Sequence, residues 1–165
     1  MPNDDPLTGA VREEEEAFAD FFREIEPRLR RSLIAALGGE TGREAAAEAL
    51  AWAWEHWARV QGMENPGGYL FRLGRNRGLS MLRRRPAFSL PRDLSGDSPW
   101  FEPGLPPALA RLPERQRVAV LLIHGFSWTY REVAAHLGVE ISTVQSHVER
   151  GMARLRHQLK VGTDA

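Results

Sequence analysis

The sequence predicts an all-α protein: two small helical domains joined by a flexible, Pro-rich linker. Apolar residues recur at three- and four-residue steps in two separated stretches, the spacing of one buried helix face. Capping residues stand at the head of the periodic segments, and no alternating strand pattern interrupts them. The expected boundaries are a disordered lead-in at 1–12, a first domain at 13–85, a linker at 86–107 and a helix-turn-helix domain at 108–160.

Residues 1–12 hold Pro2, Pro6 and Gly9 with few apolar groups, which is why disorder is expected there. From Glu13 a helix is expected, with Phe18, Phe21, Phe22, Ile25, Leu29, Leu33, Ile34 and Leu37 on its apolar side. Pro27 lies inside it and predicts a kink or break near Ile25–Glu26. Glu13–Glu16 favour a helix start through the dipole, a structural role that needs no ligand. Gly38-Gly39 ends the helix, and Thr41-x-x-Glu44 reads as a capping box opening a second helix through about Val60.

Asn65-Pro66 pairs a cap with proline at the first helical position, so a third helix should run from Pro66 to about Arg85. Leu70, Phe71, Gly74, Gly78 and Met81 form its inner side, the glycines allowing a neighbouring helix close. Tyr69, Arg72, Asn76, Ser80 and Arg83 form the opposite stripe, and Arg84 and Arg85 extend its charge. Guanidinium, amide, hydroxyl and one ring in a row suit a phosphate backbone with bases beside it.

Six prolines between 86 and 107 mark the linker, long enough for the halves to move independently. Trp100-Phe101 within it reads either as a docking point on a partner or as packing against one of the halves. After Leu112-Pro113, the run Val118–Ile123 is short enough to be a buried helix, and Gly125 ends it. Thr129-x-x-Glu132 is a capping box with Trp128 and Val133 placed as a staple, and Ser142-x-x-Gln145 reads as another. Gly138 between them supplies the left-handed residue that closes the first of these helices. The result is a helix-turn-helix. On a wheel, Val144, Val148, Met152, Leu155 and Leu159 face inward, while Thr143, Ser146 and Arg150 face out, flanked by His147, Arg154, Gln145 and Glu149. Small polar groups followed by arginine suit entry into a major groove. His136, on the helix before, reads as a solvated residue.

The formal net charge is zero, but its distribution is uneven. Residues 1–50 carry 6 Arg against 12 Asp and Glu, residues 51–90 carry 7 against 2, and residues 91–165 carry 9 basic against 8 acidic. An acidic front and a basic middle point to two different partners. Zero cysteines exclude disulfides and thiolate metal sites, and the five histidines fall in no metal spacing. No apolar run approaches the roughly 20 residues of a membrane span, so a soluble, cytoplasmic protein is expected. No phosphate loop, nucleophile motif or acid–base pair supports an enzyme, and no cofactor, metal or small-molecule substrate is expected.

The segments A-E-A-L-A-W-A-W-E-H-W (47–57), N-P-G-G-Y-L-F-R-L-G-R-N (65–76) and L-R-R-R (82–85) are similar to the second conserved region of the extracytoplasmic-function (ECF) sigma factors of bacterial RNA polymerase. L-A-R-L-P-E-R-Q-R (109–117) and the stretch 124–156 resemble their fourth region. The resemblance covers roughly residues 17–85 and 106–159 and implies a sigma factor that binds core polymerase and directs promoter recognition and opening. It implies core docking through Glu44, Glu48, Trp52 and Glu55, and reading of the minus-ten element by Asn65, Tyr69, Arg72, Asn76, Ser80, Arg83 and Arg84, with one base flipped from the stack. It implies that Thr129, Arg131, Ser142, Thr143, Gln145, Ser146, His147, Arg150 and Arg154 meet the minus-thirty-five element. An anti-sigma factor is a further partner that the resemblance implies. Two departures stand out: Ala47 replaces a glutamine common in the family's second helix, and Gln145 and His147 stand where many members carry basic residues. Two other readings stay open on the residues alone: a free-standing dimeric helix-turn-helix regulator, and an interaction protein that keeps the scaffold but binds neither promoter nor core.

Overall fold

A computed structural model describes residues 6–84, 89 and 104–163, nearly all of them helical and none in a strand. The helices are α1 (Pro6–Leu37), α2 (Gly39–Glu55), α3 (Trp57–Gln61), α4 (Pro66–Leu82), α5 (Leu105–Ala110), α6 (Glu114–Val120), α7 (Tyr130–Leu137) and α8 (Ile141–Thr163). A π-helical turn, Leu121–Gly125, follows α6 directly. Among the described residues no helix is long and apolar enough to cross a membrane.

Helix α1 departs from expectation at its start and its middle. It begins at Pro6, so residues 6–12 are helical rather than part of a disordered lead-in. Proline at a first helical position gives up an N–H that would have no partner anyway. Extending a helix already nucleated by a packed segment adds one bond per residue fixed, which lets exposed polar turns persist. The helix also continues through Pro27 without a break, because buried Leu29 and Leu33 hold the turns that follow.

The corner between α1 and α2 is set by sterics. Gly38 takes φ 89°, and α2 starts at Gly39, so Thr41 lies inside the helix and the expected Thr41 capping box does not form. Gly42 explains the early start: a β-carbon there would lie 2.5 Å from the Ile34 Cα, so the two helices cross backbone to backbone. Helix α2 stops sooner than Val60. The ring of His56 stacks on Trp52 at 4.2 Å and donates from Nδ1 to the Trp52 carbonyl, and the backbone leaves the helical region there before α3 resumes. Asn65 caps α4 as expected, its Oδ1 accepting from Gly68 N at 2.9 Å, and the helix ends at Leu82; Arg85 lies outside the described residues. Gly74 and Gly78 face Leu33, Leu37 and Ala45 at distances that leave no room for a side chain, so α4 lies tightly in the angle between α1 and α2.

In the second half, α5 begins at Leu105, inside the expected linker; Trp100 and Phe101 lie outside the described residues. Helices α6, α7 and α8 with the π-helical turn bury Val118, Ala119, Leu122, Val133, Val144, Val148 and Leu155. Each large side chain in that set contributes about 1.5–3 kcal/mol by leaving water.

The halves do not stand apart. Their buried residues form one continuous cluster, against the expectation of independent movement. At the seam, buried Arg117 donates to the carbonyls of Ala35 at 2.9 Å and Ala36 at 2.7 Å, at the end of α1, and to Leu112 at 3.1 Å. Arg75 of α4 holds Glu114 of α6 through two bonds of 2.5 and 2.8 Å, and Arg28 of α1 meets Glu132 of α7 at 2.6 Å. Arg28 also lies over the Trp128 ring, and Arg31 over Phe126. His136 is a correction: it is buried, not solvated, with Nε2 2.9 Å from the Ser32 hydroxyl and its ring against Phe71 and Trp128. The helix has two packed sides, one on its own motif and one on α1 and α4, and His136 occupies the second. Burial, then the nearby Arg28 charge, pushes its pKa down to about 4.

Two consequences are measurable. Gly42→Ala should destabilise the chain by about 3 kcal/mol in urea denaturation, as overpacking against a backbone does. Gly9→Ala, with nothing within 4 Å, should be neutral or stabilise by up to about 1 kcal/mol; equal losses at both positions would contradict the crossing. Because His136 is buried neutral, the packed state binds fewer protons than the unfolded chain. Its contribution is intact above about pH 6.5 and falls away toward pH 4, by on the order of 3 kcal/mol. His136→Gln should flatten that part of the stability profile relative to the native chain.

Candidate nucleic-acid interface

The helix-turn-helix begins with a reciprocal cap. Thr129 Oγ1 accepts from Glu132 N at 3.2 Å, and Glu132 Oε2 accepts from Thr129 N at 2.8 Å. Trp128 and Val133 are buried on either side of it. Ser127, just before, adopts φ 58°, a left-handed conformation that turns the chain out of the π-helical segment. Gly138 takes φ 67° and closes α7, as its position predicts. The second expected box does not form. Helix α8 begins at Ile141, and the Glu140 carbonyl accepts from Thr143 N and Val144 N, so Ser142 is already helical.

This start fixes what α8 presents. Val144, Val148 and Leu155 are buried, and Met152 and Leu159 half-buried, as the wheel predicts. Ser142, Gln145, Ser146, Arg150 and Arg154 are exposed, as are Thr129 and Arg131 at the head of α7. Thr143 and His147 are half-buried, because they face the first half across a cleft. Burial followed by the charges of Arg115 and Arg150 lowers the His147 pKa, so its ring is neutral near pH 7. Its Nδ1 is buried with no hydrogen-bond partner.

On α4 the expected stripe is outward: Arg72, Asn76, Ser80, Arg83 and Arg84 are exposed. Its two N-terminal members are engaged. Asn65 caps the helix and donates from Nδ2 to the Ala135 carbonyl at 2.5 Å, reaching the other half. Tyr69 is half-buried in a cluster with Trp52, their rings 5.3 Å apart and the Arg59 guanidinium over both. On α2, Glu44 and Glu55 are exposed, while half-buried Glu48 lies 3.8 Å from Arg77. Trp52, assigned with those acids, thus meets Tyr69, assigned to the other surface, and the two expected sites join at the end of α2. Among the described residues no group of histidines and carboxylates could hold a metal.

Sequence reading missed the seam residues Arg28, Ser32, Arg75, Arg117 and His136. One signal was available for Arg117: it directly precedes Val118–Ile123 on a short helix, where an arginine must bury its stem and find acceptors for its head.

Two outward polar faces stand on one all-α scaffold, one of them on the second helix of a helix-turn-helix, the kind of face that DNA-reading proteins use. Comparison with known proteins agrees. The family model "Sigma-70, region 4" matches residues 106–155. The chain is 28% identical to the ECF RNA polymerase sigma factor RpoE of Cereibacter sphaeroides over 172 residues, covering 93% of each chain. It is 35% identical to the ECF RNA polymerase sigma factor SigE of Mycolicibacterium smegmatis over 107 residues, 56% of this chain and 42% of that one. Among solved structures, the sigma factor RpoE in complex with the anti-sigma factor NepR, from Bartonella quintana, matches with a TM-score of 0.64 at 25% identity, covering 88% of this chain and 98% of that one. Residues 106–155 thus match the fourth region of sigma-70 factors, and along most of its length the chain is similar to ECF sigma factors.

Thr129→Ala removes the side-chain half of the cap and should cost about 1 kcal/mol in denaturant unfolding. Thr129→Ser should restore most of it; a loss unchanged by serine would mean the methyl group, not the hydroxyl, matters.

Proposed function

We propose that this chain is a sigma factor that reads promoters through two surfaces, α8 with the head of α7 and the outer stripe of α4, while α2 docks on core RNA polymerase. The observation that carries this reading is the division of α8: its apolar residues are packed inward and Ser142, Gln145, Ser146, Arg150 and Arg154 are left to solvent. Such a face suits base edges and phosphates in a major groove. Arg72, Asn76, Ser80, Arg83 and Arg84 supply the contacts to the minus-ten element, and Tyr69 with Trp52 supplies the aromatic surface beside them. Glu44, Glu48, Trp52 and Glu55 supply the core contact, with Ala47 in place of glutamine among them. The chain then works as an initiation factor without catalysis of its own, in the cytoplasm where its polymerase is.

The solved relative was captured with an anti-sigma factor. We extend that kind of partner to this chain, because its two halves present a joined surface that one protein can span. The dimeric regulator reading has no support in the comparisons, which point to full-length sigma factors.

Transcription from a promoter library with purified core polymerase tests the whole reading; no activity under any promoter would reject it. Within it, Arg150→Ala should weaken binding to an upstream-element duplex by about 1–3 kcal/mol and relax base preference there. A uniform loss on all DNA would make Arg150 a phosphate contact. Glu48→Lys should abolish co-purification with core while leaving the helical spectrum intact.

A further inference from the structure

We propose that the cleft between α4 and the α6–α8 unit is a binding site for a small phosphorylated ligand of the nucleotide class, which ties the two halves of the chain together. The cleft is about 300 Å³, at the small end of ligand pockets, and both halves line it. From the first half come Phe71, Arg72 and Arg75; from the second come Arg115, Thr143 and His147, among others.

The charges in it are unbalanced. Its one carboxylate, Glu114, is already held by Arg75 through two bonds. Arg72 and Arg115 make no hydrogen bond or ion pair among the described residues, although they line the same cleft from opposite halves. Half-buried His147 brings its ring and Thr143 a hydroxyl. Two free guanidiniums with these groups match the oxygens of a multivalent phosphate, which arginine binds through parallel N–H bonds. The rest of the lining is apolar: buried Phe71 and Val118, half-buried Leu137, and Val139 at 40% exposure. An inorganic anion would leave that side wet, whereas a nucleoside covers it with a flat, largely apolar ring.

Bound there, the ligand contacts both halves, so it stabilises their packed arrangement by its affinity for that arrangement alone. It also occupies Arg72, Thr143 and His147, which the proposed function gives to DNA. The effect on promoter binding rests on that reading; occupancy of the cleft does not.

Calorimetric titration of the full chain with ADP, pyrophosphate and adenosine tests the site by itself. ADP should bind one to one, pyrophosphate at least about tenfold more weakly, and adenosine more weakly still. Arg72→Ala and Arg115→Ala should each weaken ADP by at least about tenfold, the loss of one charge-assisted contact. Arg156→Ala, on an exposed part of α8, should leave ADP binding unchanged. Absence of binding by ADP in the native chain would overturn the site. So would an equal loss with Arg156→Ala, which would place the anion on the general surface, and equal binding by pyrophosphate would overturn the nucleotide assignment. Competition between ADP and promoter duplex is then read separately: ADP bound in the calorimeter but without effect on duplex binding counts against the DNA roles of Arg72, Thr143 and His147, not against the cleft.

Discussion

A single guanidinium sets how the two halves meet. The last turn of a helix leaves carbonyls without partners, and the last turn of α1, at Ala35, Ala36 and Leu37, is buried. Arg117 donates to two of those carbonyls and brings a positive charge to the negative end of the helix dipole. Burial lowers its pKa, with the Glu114 charge opposing that shift, yet an arginine keeps its proton under any ordinary condition. With Arg117 seated there, Glu114 lies within reach of Arg75, and α7 is carried against α1 so that Glu132 meets Arg28 and His136 meets Ser32. Beside the apolar cluster that the halves share, the seam is held by these polar, charge-assisted contacts. Such contacts are specific in geometry and can be exchanged for water, DNA or another protein more readily than a core of leucines.

What the sequence made legible were features whose cause is local. The Thr129 cap, the Asn65 cap and the left-handed Gly138 each depend on residues a few positions apart, and all three are present. The inward and outward faces of α4 and α8 follow from helical periodicity, and they too are as expected. Local patterns misled where a neighbouring constraint moved the helix start. Thr41-x-x-Glu44 and Ser142-x-x-Gln145 satisfy the spacing of a capping box, but α2 starts two residues before Thr41 and α8 one residue before Ser142. At α2 the cause is the backbone crossing at Gly42, which involves a helix that no local window contains.

The seam escaped for the same reason on a larger scale. Reading α7 as an amphipathic helix assumes one packed side, so His136 counts as solvated. Arg117 is separated from its acceptors on α1 by about eighty residues of sequence. The linker composition argued for independence of the halves, and composition carries no information about whether two surfaces fit. Of the candidate site, the residue types and their faces were readable; the joining of Trp52 to Tyr69 and the sheltering of Thr143 and His147 depend on the assembled fold.

Glu132 has a consequence for how the motif behaves when the halves part. Its two carboxylate oxygens have separate duties: Oε2 accepts the Thr129 N–H, and Oε1 accepts from Arg28 of the other half. These bonds, with the Thr129 hydroxyl, hold its pKa low, so the carboxylate stays ionised in either duty. Releasing Arg28 frees one oxygen and leaves the other in place. The first helix of the motif thus keeps its start intact while it gains an unengaged acceptor on its flank.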